Sequence, residues 1–397
     1  MSLQKKDLYK NLLIKKVFAG TKDIYLVGGF LRDLISQGVH SNDIDFVIKK
    51  NLKKTVSSIR DKLNGKLIEL KKEHMLRIVL KNRVTLDFSR LRGDITDDLK
   101  TRDFTFNSLA WSPEMGLLDP FDGIKDLKKG IIRKILKQNF KDDPLRLLRA
   151  YRFSSEFCFR IAKKTRQTLK ELSGDIRYPA HERITLEFLA LLNGKCPIRA
   201  LRMALEDGVL TEIISLSYNA LERNINTISK IEENLKRVPK VHAPDMAVGF
   251  PQGLTYIGLL RLEGLLYSSK RDLLSLSTSL RKRLDIVGEL MGKFKGRLPA
   301  TLPRELVSPF AGGSFSQEAV APLIDLLILT GKTGFIPDAN RFLRIMKKGI
   351  LSTVKIMAET GIKPSPELGK VIKELKMLEF SGVIRTKKDA LRELKRL

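Results

Sequence analysis

The sequence predicts an α+β protein: a front third that mixes strands with helices, then a helical remainder. Three observations predict it. Residues 22–90 carry short β-rich runs separated by turns, and from about Phe140 the apolar residues fall at three- and four-residue spacing instead. The chain has 397 residues, enough at roughly 150 per domain for two or three cores. Hydrophobic residues make up 43% of it, which excludes wholesale disorder.

The elements follow in order. Ile24–Val27 is a β-rich run ending in Gly28-Gly29, Phe30–Gln37 has helical spacing, and Asp43–Ile48 alternates as a strand after a polar turn. Residues 53–63 read as a helix. The stretches 66–70, 75–80 and 84–88 read as short strands, with a Lys81-Asn82-Arg83 turn before the last. Helical spacing then marks Leu145–Phe157, Lys163–Leu172, His181–Leu192 and Ile198–Glu206, broken at Ser173–Asp175, Asn193–Lys195 and Asp207-Gly208. Amphipathic helices continue over 216–397, interrupted near Val238–Pro251, Leu298–Pro309 and Gly361–Pro366. No fixed-period repeat or low-complexity tract appears.

Charge narrows the partners. Lys plus Arg is 74 and Asp plus Glu is 45, a formal net charge of +29. A folded chain this basic meets a polyanion, either nucleic acid or an anionic membrane face. No apolar run is long enough to cross a bilayer, and the lysine-rich start has no signal-peptide core, so a cytoplasmic protein without a membrane partner is expected. Two cysteines, Cys158 and Cys196, leave no room for a disulfide framework or a cysteine-rich zinc site, and four scattered histidines argue against a histidine metal cluster. No His-Asp pair occurs, which excludes a histidine-aspartate metal phosphohydrolase. Gly331-Lys332-Thr333 ends like a P-loop, but Leu326 stands where the earlier glycine is required.

Four motifs carry chemistry. Gly28-Gly29-Phe30-Leu31-Arg32-Asp33 joins a strand to a helix; adjacent glycines allow close backbone approach to phosphate, the helix start offers N–H groups, and Arg32 lies one turn in. Asp43-Ile44-Asp45 places two carboxylates on one strand face, a pair that divalent metal would hold together, and Asp87 offers a third from a neighbouring strand. Thr101-Arg102-Asp103-Phe104-Thr105-Phe106-Asn107 sets a base, an acid and an amide among apolar residues, so at least one polar group is expected near a core. Finally, Asp143-Pro144 is expected to cap a helix on which Arg146, Arg149 and Arg152 drift round one side. Three arginines there repel unless an anion sits opposite.

In this order the motifs resemble the tRNA nucleotidyltransferase / poly(A) polymerase family of the bacterial class II type, relatives of the polymerase beta-like nucleotidyltransferases. The likeness runs from about Tyr25 to Asp207 and includes Leu118–Gly123, His181–Ile184 and Ala200–Leu210. It implies a polymerase beta-like head with a mixed sheet (1–135), then an all-helical neck holding the base pocket (136–200), a body (201–280) and a basic, tRNA-binding tail (281–397). It also implies Mg²⁺ on Asp43 and Asp45, with Asp87 catalytic beside them. Gly28, Gly29, Arg32, Arg102, Asp103, Asn107, Asp143, Arg146, Arg149 and Arg152 would bind nucleotide. The implied reaction adds C or A from CTP or ATP to the 3′ end of tRNA, releasing pyrophosphate, with no nucleic-acid template and no obligatory protein partner. Asp143 and Arg146 would read the base edge: a carboxylate accepts from the exocyclic amine that C and A share, and a guanidinium donates to ring nitrogen or carbonyl. Departures are Thr101 where the family has a first arginine and Asp142 where it has glutamate. The link from Asp87 to Arg102 is short where members that add all three nucleotides carry an extended loop, so a partial CC-adding or A-adding enzyme stays open. So do a poly(A) polymerase of the same family and an inactive RNA-binding protein.

Overall fold

The computed structural model describes residues 8–38, 42–71, 73–81, 84–267, 269, 273–293 and 320–397. The last two residues of the turn at Lys81–Arg83, and the interruption near Leu298–Pro309, lie outside them. The chain divides into two compact units, Met1–Glu212 and Ile213–Leu397.

The first unit is built on a seven-stranded mixed sheet. Its strands are β1 (Ile24–Val27), β2 (Asp43–Ile48), β3 (Lys66–Lys71), β4 (Met75–Val79), β5 (Thr85–Arg90), β6 (Ala110–Ser112) and β7 (Gly116–Leu118), in the order β3-β4-β5-β2-β1-β6-β7. Only β2 and β5 pair parallel; the other neighbours are antiparallel. Alternation sorts the two faces. Ile44, Phe46 and Ile48 join Leu76, Ile78, Leu86 and Phe88 in a core against α1 (Leu12–Phe18), α2 (Gly29–Gln37) and α3 (Leu52–Leu63). Phe46 stacks on Phe88 at 5.1 Å, and burying each such ring contributes about 1.5–3 kcal/mol. The opposite parity, Asp43, Asp45 and Val47, faces the other way, where Val47 packs with Leu91, Ile95 and Leu99 around α4 (Ile95–Lys100). Thus the strand that fills the core with one set of side chains presents carboxylates with the other.

Helices complete the unit: α5 (Gly123–Lys129), α6 (Gln138–Asp142), α7 (Leu145–Phe157), α8 (Lys163–Glu171), α9 (His181–Asn193) and α10 (Pro197–Glu206). On α7, Leu147, Leu148, Ala150, Tyr151 and Phe153 are buried, the helical spacing visible in the sequence. Tyr151 donates to Asp207 at 3.0 Å, and Arg166 holds the same carboxylate at 2.9 Å. Phe104 stacks on Phe106 and meets Phe140 and Phe153 edge-on, which fixes the segment after α4 against α7.

One bond is unanticipated and one expectation needs correction. Cys158, at the C-terminal end of α7, is bonded to Cys196 at the start of α10, with Cα atoms 5.4 Å apart. Asp143 does not cap α7 with its side chain. The helix starts at Leu145, Asp143 gives its backbone carbonyl to the Arg146 N–H, and the guanidinium of Arg183 draws off its carboxylate. A charge-assisted bond outcompetes a cap.

Among the described residues the second unit is helical apart from the small pairing of Gly249–Phe250 with Leu254–Thr255, which straddles the end of the break expected at Val238–Pro251. Its helices include Tyr256–Leu266, Thr278–Lys293, Val320–Leu329 and Ile336–Lys347. A buried polar group sits among the first three: Arg283 donates to Glu263 at 2.6 Å and to Asp325, and Tyr256 donates to Asp325. The last three helices, Thr353–Thr360, Pro366–Phe380 and Lys387–Leu394, close on a separate small core of Ile356, Leu368, Leu375, Ile384, Ala390 and Leu394. Among the described residues no helix is long and apolar enough to cross a membrane.

Candidate active site

Gly28 follows β1 with φ 77° and ψ −136°, a combination open to glycine, and α2 starts at the next residue. A β-carbon on Gly28 would stand 3.0 Å from Arg102 Nη1 and 3.5 Å from Asp45 Oδ2, so the absent side chain keeps a cradle open between a guanidinium and a carboxylate. The cleft beside it, about 520 Å³, is lined by residues from all four motifs. Gly28, Gly29, Arg32, Asp45, Arg102, Asp103, Asn107, Asp143, Arg146, Arg149 and Arg152 meet there. Asp43 and Asp87 are outside its lining. Register places them beside it: Asp45 lies opposite Asp87, and Asp43 opposite Thr85.

The three carboxylates share one face of the sheet. Thr85 donates its hydroxyl to Asp43, and Arg77 holds Asp87 through two bonds of 2.6 and 2.7 Å. Asp45 is drawn above the usual carboxylate range, first by burial. Asp87 and Asp43 push the same way, against the pull of Arg102 and Arg77. A divalent cation would relieve that strain. Among the described residues no three His, Cys, Asp or Glu side chains converge into a self-sufficient metal centre. Asp43 and Asp45 instead form the kind of two-carboxylate donor set that suits a hard, oxygen-loving ion completed by substrate phosphates and water.

Opposite the acids, the arginines are not left to repel one another. Arg149 bonds Asp103 at 2.8 Å and Glu187 at 3.0 Å; Arg152 bonds Glu187 and Glu156, each at 2.5 Å. Asp103 is fully buried. Burial alone would raise its pKa, but Arg149, the Asn107 amide and the Phe104 N–H together hold it below the usual range. Asn107 also accepts from Arg32 at 2.9 Å, while Arg32 grips Asp33 and lies over the rings of Phe153 and Phe157. Asp103 and Asn107 therefore orient the cationic wall from behind.

Two arginines are less committed. Arg102 reaches Asp98 at 3.3 Å, and its Nε is buried without a partner. Arg146 donates to the carbonyls of Thr101 and Asn139, at 2.8 and 3.1 Å, and makes no ion pair among the described residues. Burial lowers its pKa first of all, with Asp103 and Asp143 opposing. Desolvated cationic donors with spare capacity suit a planar anionic or polar ligand.

Sequence reasoning missed Arg183, Leu186 and Glu187, all on α9 and all in the lining, and Arg77 on β4. A partial signal for Glu187 was present, because three arginines on α7 demanded an anion and Glu187 is an acid set among the apolar residues of α9. No local signal points to Arg77, whose pairing depends on the β4–β5 register.

Known proteins resemble this chain in sequence and in fold. The Poly A polymerase head domain family matches residues 24–133, and the family described as a probable RNA and SrmB-binding site of polymerase A matches 158–216. A CC-adding tRNA nucleotidyltransferase of Synechocystis sp. is 36% identical over 194 residues, 48% of this chain and 46% of that protein. The chain spans under half the length of the first curated relatives it matches. An A-adding tRNA nucleotidyltransferase of Halalkalibacterium halodurans is 25% identical over 93% of this chain and 87% of its own. The structure of a Thermotoga maritima CCA-adding enzyme complexed with tRNA superposes with a TM-score of 0.74 at 25% identity, covering 100% of this chain and 96% of that one. In its motifs, its mixed-sheet head and these matches, the chain is similar to the tRNA nucleotidyltransferase / poly(A) polymerase family.

Proposed function

We propose that the protein is a cytoplasmic tRNA 3′-end nucleotidyltransferase that adds C, A or both from CTP and ATP without a nucleic-acid template. The observation that carries the reading is the meeting, in one cleft, of the Gly28-Gly29 helix start, the buried Asp45 and the arginine helix α7. The N–H groups opening α2 and Arg32 receive the triphosphate. Arg102, with its unpartnered Nε, reaches the sugar and phosphates. Asp143 and Arg146 take the base edge, and Asp103 and Asn107 hold Arg149 and Arg32 in line.

Asp43 and Asp45 would hold Mg²⁺, which when bound neutralises charge developing on the phosphates and lowers the pKa of the attacking hydroxyl. The RNA 3′-oxygen forms its bond to the α-phosphorus, the bond to the β-phosphate oxygen breaks, and pyrophosphate leaves with the electron pair. Arg77 occupies one lone pair on each oxygen of Asp87. Each oxygen keeps another that can accept the hydroxyl proton. Lys and Arg of the tail, 15 against 6 acids over 341–397, would grip the RNA backbone.

A second reading, a CC-adding enzyme, is favoured by the connection after β5, which passes from Arg90 to Ile95 through Leu91–Asp94 alone. One assay tests both. Purified protein is given tRNAs ending before the first C, after one C and after two, with CTP or ATP separately, and product length is read on a gel. Defined one- to three-nucleotide extension is expected; extension stopping after CC selects the second reading. Long A tails on any RNA, or no extension of any substrate, would overturn the proposal.

A further inference from the structure

The Cys158–Cys196 bond fastens the end of the arginine helix to α10, and no step of the transfer reaction uses it. Cys158 follows Phe157, the last residue of α7, at φ 58° and ψ 25°, the left-handed region where glycine is the common helix-ending residue. Cys196 immediately precedes α10. The bond spans a separation of 38 residues, and the loop it closes contains α8 and α9.

Two paths lead from this bond to the cleft. The first runs along α7. Phe157, next to Cys158, and Phe153, one turn earlier, form the platform under Arg32, whose guanidinium lies 5.0 and 5.2 Å from the two ring centres. The second runs through α9, whose end is fitted onto the last turn of α7. A β-carbon on Gly194 would collide with Ser155. Ser155 donates its hydroxyl to the Leu191 carbonyl at 2.7 Å, and its own carbonyl accepts from the Cys196 N–H at 2.8 Å. One turn before Leu191, Glu187 holds Arg149 at 3.0 Å and Arg152 at 2.5 Å. Arg32, Arg149 and Arg152 all line the cleft, so the bond secures the joint on which three of its cations depend.

The sulfurs are open to exchange. Both cysteines are half-buried, Lys195 is exposed beside Cys196, and Arg199 donates to the Phe159 carbonyl next to Cys158 at 2.9 Å. Cations near a sulfur stabilise the thiolate that leaves when the bond is cut. In the cytoplasmic setting proposed above most thiols are kept reduced, and a disulfide is usually either catalytic or redox-sensing. Neither cysteine is among the residues lining the cleft, which leaves the second role.

We propose that Cys158–Cys196 is a thiol–disulfide exchange site through which a cellular dithiol sets nucleotide affinity, the oxidised protein binding CTP and ATP more tightly than the reduced one. Its consequence for catalysis rests on the transferase reading above. One thiolate of the dithiol bonds to a protein sulfur as the S–S bond breaks, and the other protein sulfur leaves as a thiolate and takes up a proton. The second thiolate of the dithiol then displaces the remaining protein sulfur from the mixed disulfide. Two electrons and two protons pass to Cys158 and Cys196, and the dithiol departs as a disulfide. With the bond open, the last turn of α7 loses its covalent hold, the platform under Arg32 shifts, and Glu187 grips its two arginines across a looser joint.

For the test, the full-length protein is equilibrated in buffers of reduced and oxidised dithiothreitol. Thiols are counted by the mass added on alkylation, and the Kd values for CTP and for a tRNA acceptor minihelix are measured on the same samples. Cys158 and Cys196 are expected to become alkylated together in one reversible transition. Reduction is expected to raise the CTP Kd about fivefold and to leave the minihelix Kd within twofold. The double variant Cys158→Ser/Cys196→Ser should bind CTP like the reduced protein in every buffer; if it does not fold, the two forms of the wild type decide alone. A bond that no dithiothreitol ratio opens, or thiols that never pair, would overturn the inference. So would a CTP Kd within twofold in the two forms, or a reduced protein that unfolds outright, either of which would make the bond a structural staple only. If CTP affinity follows the redox state while no RNA is extended, the transferase reading fails and the exchange site stands.

Discussion

Gly28 and Arg102 are separated by seventy-four positions, yet a single added carbon on the glycine would crowd the guanidinium. At φ 77° and ψ −136° an alanine costs about 1–3 kcal/mol, and its methyl would crowd Arg102 Nη1 at 3.0 Å. For Gly28→Ala we predict a KM for CTP raised about tenfold, because Arg102 must move from the phosphates, and a melting temperature only modestly lower. Steady-state kinetics with thermal unfolding will separate the two effects. At this scale the sequence was most legible where the cause is local. Strand alternation puts Asp43 and Asp45 on one face whatever else the chain does. The partner of Asp143 is Arg183, forty positions away, and nothing near Asp143 announces it.

Elements with strong apolar spacing were readable to within a residue: α7 spans Leu145–Phe157 and β1 Ile24–Val27, as their patterns predict. Short elements completed by tertiary contacts were not. Helix α1 has only Ile14, Val17 and Phe18 facing inward, capped by Asn11, and its lysines mask the pattern. Strands β6 and β7 are three residues each and exist through pairing with β1 and one another. The buried group on helix Tyr256–Leu266 was equally hidden, since Glu263 reads as an ordinary helix-surface acid until its neighbours are known. Burial, reinforced by Asp325 and opposed by Arg283, raises the pKa of Glu263 well above the usual carboxylate range, and its Oε2 has no partner. A raised folded value means the proton stays bound in the fold and is released on unfolding. The stabilisation is complete below the unfolded pKa near ~4.3 and declines as pH rises toward the folded value, by up to about 1.4 kcal/mol per pH unit. Melting curves from about pH 5 to about pH 9 should therefore slope more steeply for wild type than for Glu263→Gln; parallel slopes would show that the carboxyl is ionised in the fold.

For the whole molecule, composition pointed to a polyanion partner and pattern to a mixed head followed by helices, but neither yields the strand order. β2 and β5 pair in parallel because the chain from β2 runs through α3, β3 and β4 before returning, a crossover no local signal encodes. The Cys158–Cys196 bond was invisible for the same reason: 38 residues separate the two, and only the packing of α10 on α7 brings them together. That long-range assembly is what gives the motifs a common purpose, bringing Asp45, the glycine turn and the arginine helix into one cleft. The most direct measurement is the single-turnover rate of CTP addition to a tRNA lacking its terminal nucleotides, for wild type and for Asp45→Asn, which keeps the shape of the side chain and removes its charge. The account predicts a loss of about a thousandfold or more, with RNA and CTP binding retained. A variant within tenfold of wild type would contradict it, because the carboxylate at the centre of the cleft would then have no part in the chemistry.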